Sequence, residues 1–163
     1  MIKALVFDWG DTVMKDFGLP GPMYTWDKLE WIKDLEEALK KLSKDYICVI
    51  ATNAEESNSE DMKKALQKIG ADQYFSYFFS SKDLEYQKPD VKFFENILQE
   101  VGVRPEEAIM IGDHYEKDIV GAAEAGMHTI LYNENLAHGY FEMADVVIHG
   151  MDELKDTVKW YED

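Results

Sequence analysis

Residues able to do chemistry fall at the ends of apolar runs. Asp8 closes Ala4-Leu5-Val6-Phe7 and leads into Gly10, Asp11 and Thr12 in FDWGDTV. Thr52 and Asn53 close VIATNA, Gly112 and Asp113 close the apolar part of IMIGDHYEKD with Asp118 shortly after, and Lys88 stands before Pro89. Taken singly, each has a plain structural use: a carboxylate caps a turn, a threonine ends a strand, a lysine is solvated, an aspartate in a first helical turn meets the helix dipole. Gathered at one rim, they have another. Carboxylates in a partly dry pocket repel one another, and a hard divalent cation relieves the repulsion. Oxygen ligands few in number, with room for water and a phosphate, suit Mg2+ better than zinc. Asp8 and Asp113 would hold the ion, Lys88 would offset carboxylate and phosphate charge, and Thr52 with neighbouring backbone N–H groups would bind phosphate oxygens.

These residues meet only if strand ends share one edge. Runs of strand length recur at 3–7, 46–51, 77–79, 108–111, 129–132 and 146–148, near-continuous in apolar character, as a parallel sheet covered on both faces requires. Amphipathic segments lie between them. The first carries Leu35, Ala38, Leu39 and Leu42, with Asp27 and Glu30 spaced as a capping box at its start; the second carries Met62, Ala65, Leu66 and Ile69 and stops near Gly70. The third, after Pro89, shows Phe93, Phe94, Ile97, Leu98 and Val101 and ends at Gly102; the fourth spans 119–125 and ends at Gly126; the last runs over about 152–160. This alternation predicts a three-layer, Rossmann-like α/β fold, with a mostly parallel sheet and helices on both faces. In such a sheet ligands bind beyond the carboxyl ends of the strands, which is where the reactive side chains fall. Two stretches, 13–25 and 80–89, are longer than a connection needs.

Composition sets the outer limits. A chain of 163 residues suits one domain over 1–163 and buries roughly two thirds of the surface its unfolded form exposes. Thirty-three acids against seventeen bases give a formal charge of -16, and Arg104 is the single arginine. That field repels nucleic acid and anionic membranes, so neither is expected as a partner, and a phosphate-bearing substrate would need locally concentrated positive charge. Cys48, the single cysteine, lies in the apolar YICVI, where a small buried thiol is expected rather than a nucleophile. MIKALVFD has too short an apolar run for a signal peptide and no segment has the length of a membrane span, so a cytoplasmic location is expected.

The order Asp8-x-x-x-Thr12, a strand ending in Thr52-Asn53, Lys88-Pro89, and Gly112-Asp113-x-x-x-x-Asp118 resembles the four motifs of the haloacid dehalogenase superfamily of hydrolases. Gly121 to Met127 is similar to the helix that follows the fourth motif there. The resemblance implies Mg2+ dependence and two-step phosphoryl transfer, with Asp8 attacking phosphorus and water hydrolysing the aspartyl-phosphate. It also implies that Gly10 gives its backbone carbonyl to the metal, with Lys88 catalytic, Thr12, Gly112 and Asp118 supporting, and Thr52, Asn53 and Lys88 binding substrate. Relatives commonly carry a mobile cap, for which this chain has little room; residues 13–25 are the one candidate flap.

Phosphatases of that superfamily place a second aspartate, the general acid and base, where this chain has Gly10. With Thr12 at its usual distance, aspartate and glycine look exchanged, and the register makes Asp11 a poor substitute. His114 is a second candidate donor. Loss of the proton donor costs roughly 10² to 10⁴ in rate, so alkyl phosphates should suffer more than aryl or acyl phosphates. The expectation is a Mg2+-dependent phosphatase of phosphorylated small molecules or protein-borne phosphate; the alternative is a binding or regulatory relative that keeps fold and metal. An oligomer could roof the site with Phe17, Met23, Tyr24 and Trp26. His128 and His138 read as structural, and Trp26 and Trp31 as core or interface.

Overall fold

The computed structural model describes residues 1–162. Six strands, β1 (Ala4–Phe7), β2 (Ile47–Thr52), β3 (Tyr77–Ser80), β4 (Ala108–Gly112), β5 (His128–Tyr132) and β6 (Val146–Ile148), form one sheet in the order β3-β2-β1-β4-β5-β6. Every pairing is parallel. Side chains alternate across it. Leu5, Phe7, Cys48, Ile50, Ile109 and Ile111 face a core shared with α1 (Leu35–Asp45), α2 (Ser59–Lys68) and α5 (Leu154–Trp160). Ala4, Val6, Val49, Ala51, Ala108 and Met110 face a second core under α3 (Val91–Val101) and α4 (Gly121–Glu124). The three-layer α/β reading is therefore correct, and strand limits agree to within a residue.

The helix starts differ more. Asp27 and Glu30 cap nothing, because α1 begins at Leu35, behind Asp34 in the left-handed region at φ 68° with no side-chain cap. Residues 30–32 are held extended instead: Lys15 N donates to Glu30 O (2.9 Å) and Ile32 N to Val13 O (2.8 Å). Tertiary pairing outweighs local capping here. A true capping box, Asn58 with Asp61, opens α2. The fourth helical segment starts earlier than expected, as a π-helical turn over Tyr115–Val120 that runs into the short α4. Gly102 and Gly126 close their helices at positive φ, as predicted.

Residues 13–25 are anchored at both ends. Val13 and Met14 are buried, Trp9 Nε1 donates to Met14 Sδ (3.2 Å), and a 3-10 turn at Met23–Thr25 docks on α2, where Lys68 Nζ donates to Tyr24 O. Met23 is itself a core residue, so it cannot contribute to a roof made by another copy. Phe17 and Tyr24 carry Lys28 and Lys64 against their rings, and Trp26 Nε1 is bonded to Pro20 O and Gly21 O. Trp31 Nε1 donates to Ile69 O and its ring packs on Tyr74, partly buried against the core, the first of the two roles expected of it. His128 pairs with Asp145 and Tyr161 at the far end of the sheet.

The sheet reverses direction at β1. The chain builds outward through β2 and β3, then crosses back to lay β4 on the other side of β1. Asp8 and Asp113 therefore leave adjacent strands at the topological switch point. Close packing holds Lys88 beside them: a Cβ on Gly121 would stand 2.5 Å from Pro89 O and 2.7 Å from Phe94 Cε2. Gly121→Ala is expected to destabilise the protein by about 1–3 kcal/mol through overpacking. Denaturant titration measures this, and an unchanged midpoint would show that the 88–89 segment is free to move.

Candidate functional site

Beyond the β1 and β4 ends lies a cavity of about 230 Å³ lined by Asp8, Gly10, Asp16, Thr52, Asn53, Lys88, Asp113, His114, Lys117 and Asp118. Its centre is an ammonium group. Lys88, 3% exposed, donates from Nζ to Asp8 Oδ1 (2.8 Å), Asp118 Oδ1 (2.6 Å) and Ala51 O (3.1 Å), so all three of its donors are satisfied. Burial alone would lower the Lys88 pKa, but the two carboxylates outweigh it and raise it. Burial would likewise push Asp8 up, yet Lys88 pulls it below the ordinary carboxylate range.

The other carboxylates are less well supplied. Burial, and then the charge on Asp8, pushes Asp118 up to about 6 although Lys88 and His114 N (3.1 Å to Oδ2) oppose this. Asp113, held by Thr12 Oγ1 (3.1 Å), goes further: burial, then Asp8, pushes it up to about 8. One oxygen from each of Asp8, Asp113 and Asp118 lies within 4.8 Å of the others. With both Asp118 oxygens engaged, Oδ1 by Lys88 and Oδ2 by His114 N, Asp8 and Asp113 are the pair better placed to meet a cation. A carboxyl pushed up by burial and then by the charge on Asp8 is what a divalent ion would relieve, and all-oxygen donors fit Mg2+.

The supporting residues fall into place. Asn53 clamps the Lys88 backbone, its Nδ2 donating to Lys88 O (2.9 Å) and its Oδ1 accepting from Lys88 N (2.8 Å). Its amide thus positions the lysine. Thr52, 5% exposed, sits at the cavity wall, with Oγ1 3.4 Å from Asn53 O. Gly112 admits Asp118: a Cβ there would lie 2.3 Å from Asp118 Oδ2. His114 caps the π turn, Nδ1 accepting from Lys117 N (3.2 Å), and its ring borders the cavity.

Asp11 stands apart. At φ 61° its carboxylate turns to the Asp16 N–H (3.0 Å), and it lines a neighbouring depression with Lys15, Tyr132 and Asn133. Sequence reasoning passed over two residues that border the cavity, Asp16 and Lys117. Neither belongs to a motif at fixed spacing. The one signal for Asp16 is Asp-x-Gly at 16–18, an Asx-turn pattern, realised as Gly18 N donating to Asp16 Oδ1 (2.8 Å).

Two outcomes follow from the charge balance. Asp113 keeps its proton in the fold at pH values where the unfolded chain has lost it, so metal-free stability should fall as pH rises from about 4 through about 8. In EDTA, Asp113→Asn should flatten that fall and raise Tm at pH 8, by about 2–4 °C for each kcal/mol relieved. Mg2+ should then raise Tm for the native protein and not for this variant. Lys88→Met strands Asp8 and Asp118 without a counter-charge and should cost about 3–5 kcal/mol at pH 7, less at pH 5. Thermal melts at both pH values measure each effect.

Comparison with known proteins agrees with this geometry. The family model described as haloacid dehalogenase-like hydrolase matches residues 23–132, well over half of the chain. That match begins after Asp8, Gly10 and Thr12, so their assignment rests on where they sit. Among curated relatives, a glyceraldehyde 3-phosphate phosphatase of Methanothermobacter thermautotrophicus is 33% identical over 87 residues, covering 53% of this chain and 38% of the relative. The pyrimidine 5'-nucleotidase PynA of Streptococcus pneumoniae is 38% identical over 101 residues, covering 61% of this chain and 40% of PynA. The chain thus spans about two fifths of the length of these relatives. A solved protein of Listeria monocytogenes serotype 4b shares the fold, with a TM-score of 0.88 at 23% identity over 99% of both chains. Among the described residues no helix is long and apolar enough to cross a membrane. The sheet order, the four motifs gathered at its switch point and the family match together establish that this chain belongs to the haloacid dehalogenase-like hydrolases.

Proposed function

We propose that the protein is a Mg2+-dependent phosphohydrolase that works through an aspartyl-phosphate on Asp8. The observation that carries this reading is the Asp8–Lys88–Asp118 arrangement beside Asp113, which keeps Asp8 ionised within a shielded cavity. An Asp8 carboxylate oxygen is the attacking atom. It bonds to phosphorus as the ester oxygen departs, and water later releases phosphate from the acyl-phosphate. Lys88 also draws in the phosphoryl group, while Thr52 and backbone N–H groups beyond β2 bind its oxygens. Lys117 at the cavity edge adds cationic charge that an anion needs in a chain of net charge -16.

Asp8, Asp113 and the Gly10 carbonyl would hold Mg2+. When bound, the ion neutralises carboxylate charge and that of the transferring group. The substrate class is a phosphomonoester, borne by a small molecule or by a protein surface. Two relatives named for phosphatase and nucleotidase activities support this choice. We also read 1–163 as one core domain without a separate cap, in which Asp16 is the part of the 13–25 segment that borders the site, while Gly18 and Leu19 line the adjoining cavity.

Incubation with p-nitrophenyl phosphate tests the proposal. Release of nitrophenol should need Mg2+, vanish in EDTA and fall by at least ~10³ in Asp8→Asn, the loss expected when a nucleophile is removed. Mg2+ binding without release by the native protein would instead identify a regulatory relative that keeps fold and metal site.

A further inference from the structure

Residue 10 brings no side chain to the site, and the place such a side chain would take is bordered by Asp16. A Cβ built on Gly10 would stand 3.7 Å from both Cβ and Oδ2 of Asp16. Asp16 comes from the segment above the site, and three contacts fix it there. Its N–H donates to Asp11 Oδ1 (3.0 Å), its Oδ1 accepts from Gly18 N (2.8 Å), and Asp11 N is in turn bonded to Met14 O (2.6 Å). These bonds occupy Oδ1 and leave Oδ2 on the side of Gly10.

Asp16 also marks a boundary. It lines the cavity of Asp8 and Lys88 and, equally, an adjoining cavity of about 330 Å³ walled by Trp9, Met23 and Trp26 on one side and Glu55 and Glu56 on the other. Gly10, Asp16, Thr52 and Asn53 belong to both. A phosphoryl group at Asp8 would have its ester substituent in the second cavity, and the scissile oxygen would then lie at the shared rim.

We propose that Asp16 is the proton donor to the leaving oxygen, doing from the loop what a side chain at residue 10 would do from the strand end, and that Asp11 is the residue that positions it. The inference rests on the phosphohydrolase reading above. As the Asp8 oxygen–phosphorus bond forms and the phosphorus–oxygen ester bond breaks, the Asp16 carboxyl proton passes to the departing oxygen, giving the free alcohol and an Asp16 carboxylate. That carboxylate then takes a proton from the water that attacks the aspartyl-phosphate, which restores the acid and releases phosphate and the Asp8 carboxylate. Atoms and charge balance without another reactant. The acidic and aromatic walls of the second cavity suit an alcohol whose body is neutral or cationic rather than anionic.

Asp16 is exposed and Asn keeps the bond to Gly18 N, so Asp16→Asn should fold normally. With Mg2+ present, kcat/KM reports the step up to loss of the leaving group. For an alkyl phosphate it should fall ~10²-fold in Asp16→Asn, and for p-nitrophenyl phosphate by no more than about tenfold, since a good leaving group needs little proton assistance. Gly10 lies outside the positive-φ glycines and has ordinary room at its Cβ, so adding Gly10→Asp to that variant should recover at least ~tenfold on the alkyl ester. Calorimetric Mg2+ affinity should stay within about twofold, because the lost group handles a proton and not the ion. Equal falls on both esters, no fall on either, or a tenfold weaker Mg2+ affinity would overturn the role of Asp16. If the native protein releases neither alcohol nor nitrophenol, the phosphohydrolase reading fails and takes this inference with it; activity with no leaving-group dependence removes the inference alone.

Discussion

A single buried ammonium holds this site together. Taking Lys88 out of water is unfavourable by several kcal/mol, and the attraction of one carboxylate would barely offset it. Two carboxylates and a carbonyl, at 2.8, 2.6 and 3.1 Å, do offset it, and the group stays charged. The consequence spreads outward. Asp8 stays ionised at the cost of a poorer environment for Asp113, whose proton a cation can displace. The crowded carboxylates on one side of Asp8 and the fixed lysine on the other are thus one electrostatic arrangement.

Backbone architecture supplies the precision that this arrangement needs. The lysine is gripped by its own main chain through Asn53, one residue beyond β2, while Asp8 and Asp113 leave β1 and β4 side by side. Asp118 reaches inward from a π-helical turn, a geometry that recurs at functional sites. No two of these groups come from the same element, so the sheet order, more than any local motif, brings them together. Strand ends also permit little rotation of what they carry, as the proposed in-line attack by Asp8 would require.

Much of this was legible in the sequence because parallel strands buried on both faces leave a strong apolar signature, and because Asp8, Thr52 and Asp113 each sit at the end of one, while Lys88 stands before the proline that leads into α3. The illegible parts share a cause. Asp27 and Glu30 match a capping box, but the 30–32 backbone pairs with residues 13–15, a long-range contact that no local spacing reports. Asp16 lies outside any strand end or periodic segment, and only the folding of 11–18 over Gly10 brings it to the cavity. The resemblance implies that Asn53 binds substrate; that its amide is engaged on Lys88 could not be read locally, because it depends on a partner far along the chain.

Gly112 ends β4 with no side chain, and a methyl group there would overlap the Asp118 carboxylate. The strand ladder itself would tolerate alanine, since its hydrogen bonds are made by backbone alone. Divergence at this one position would thus leave a sheet of unaltered topology around a dislodged acid and a loosened lysine. A relative altered in this way would be hard to tell from this chain by fold comparison, and the terminal glycine of that strand would be the place to look.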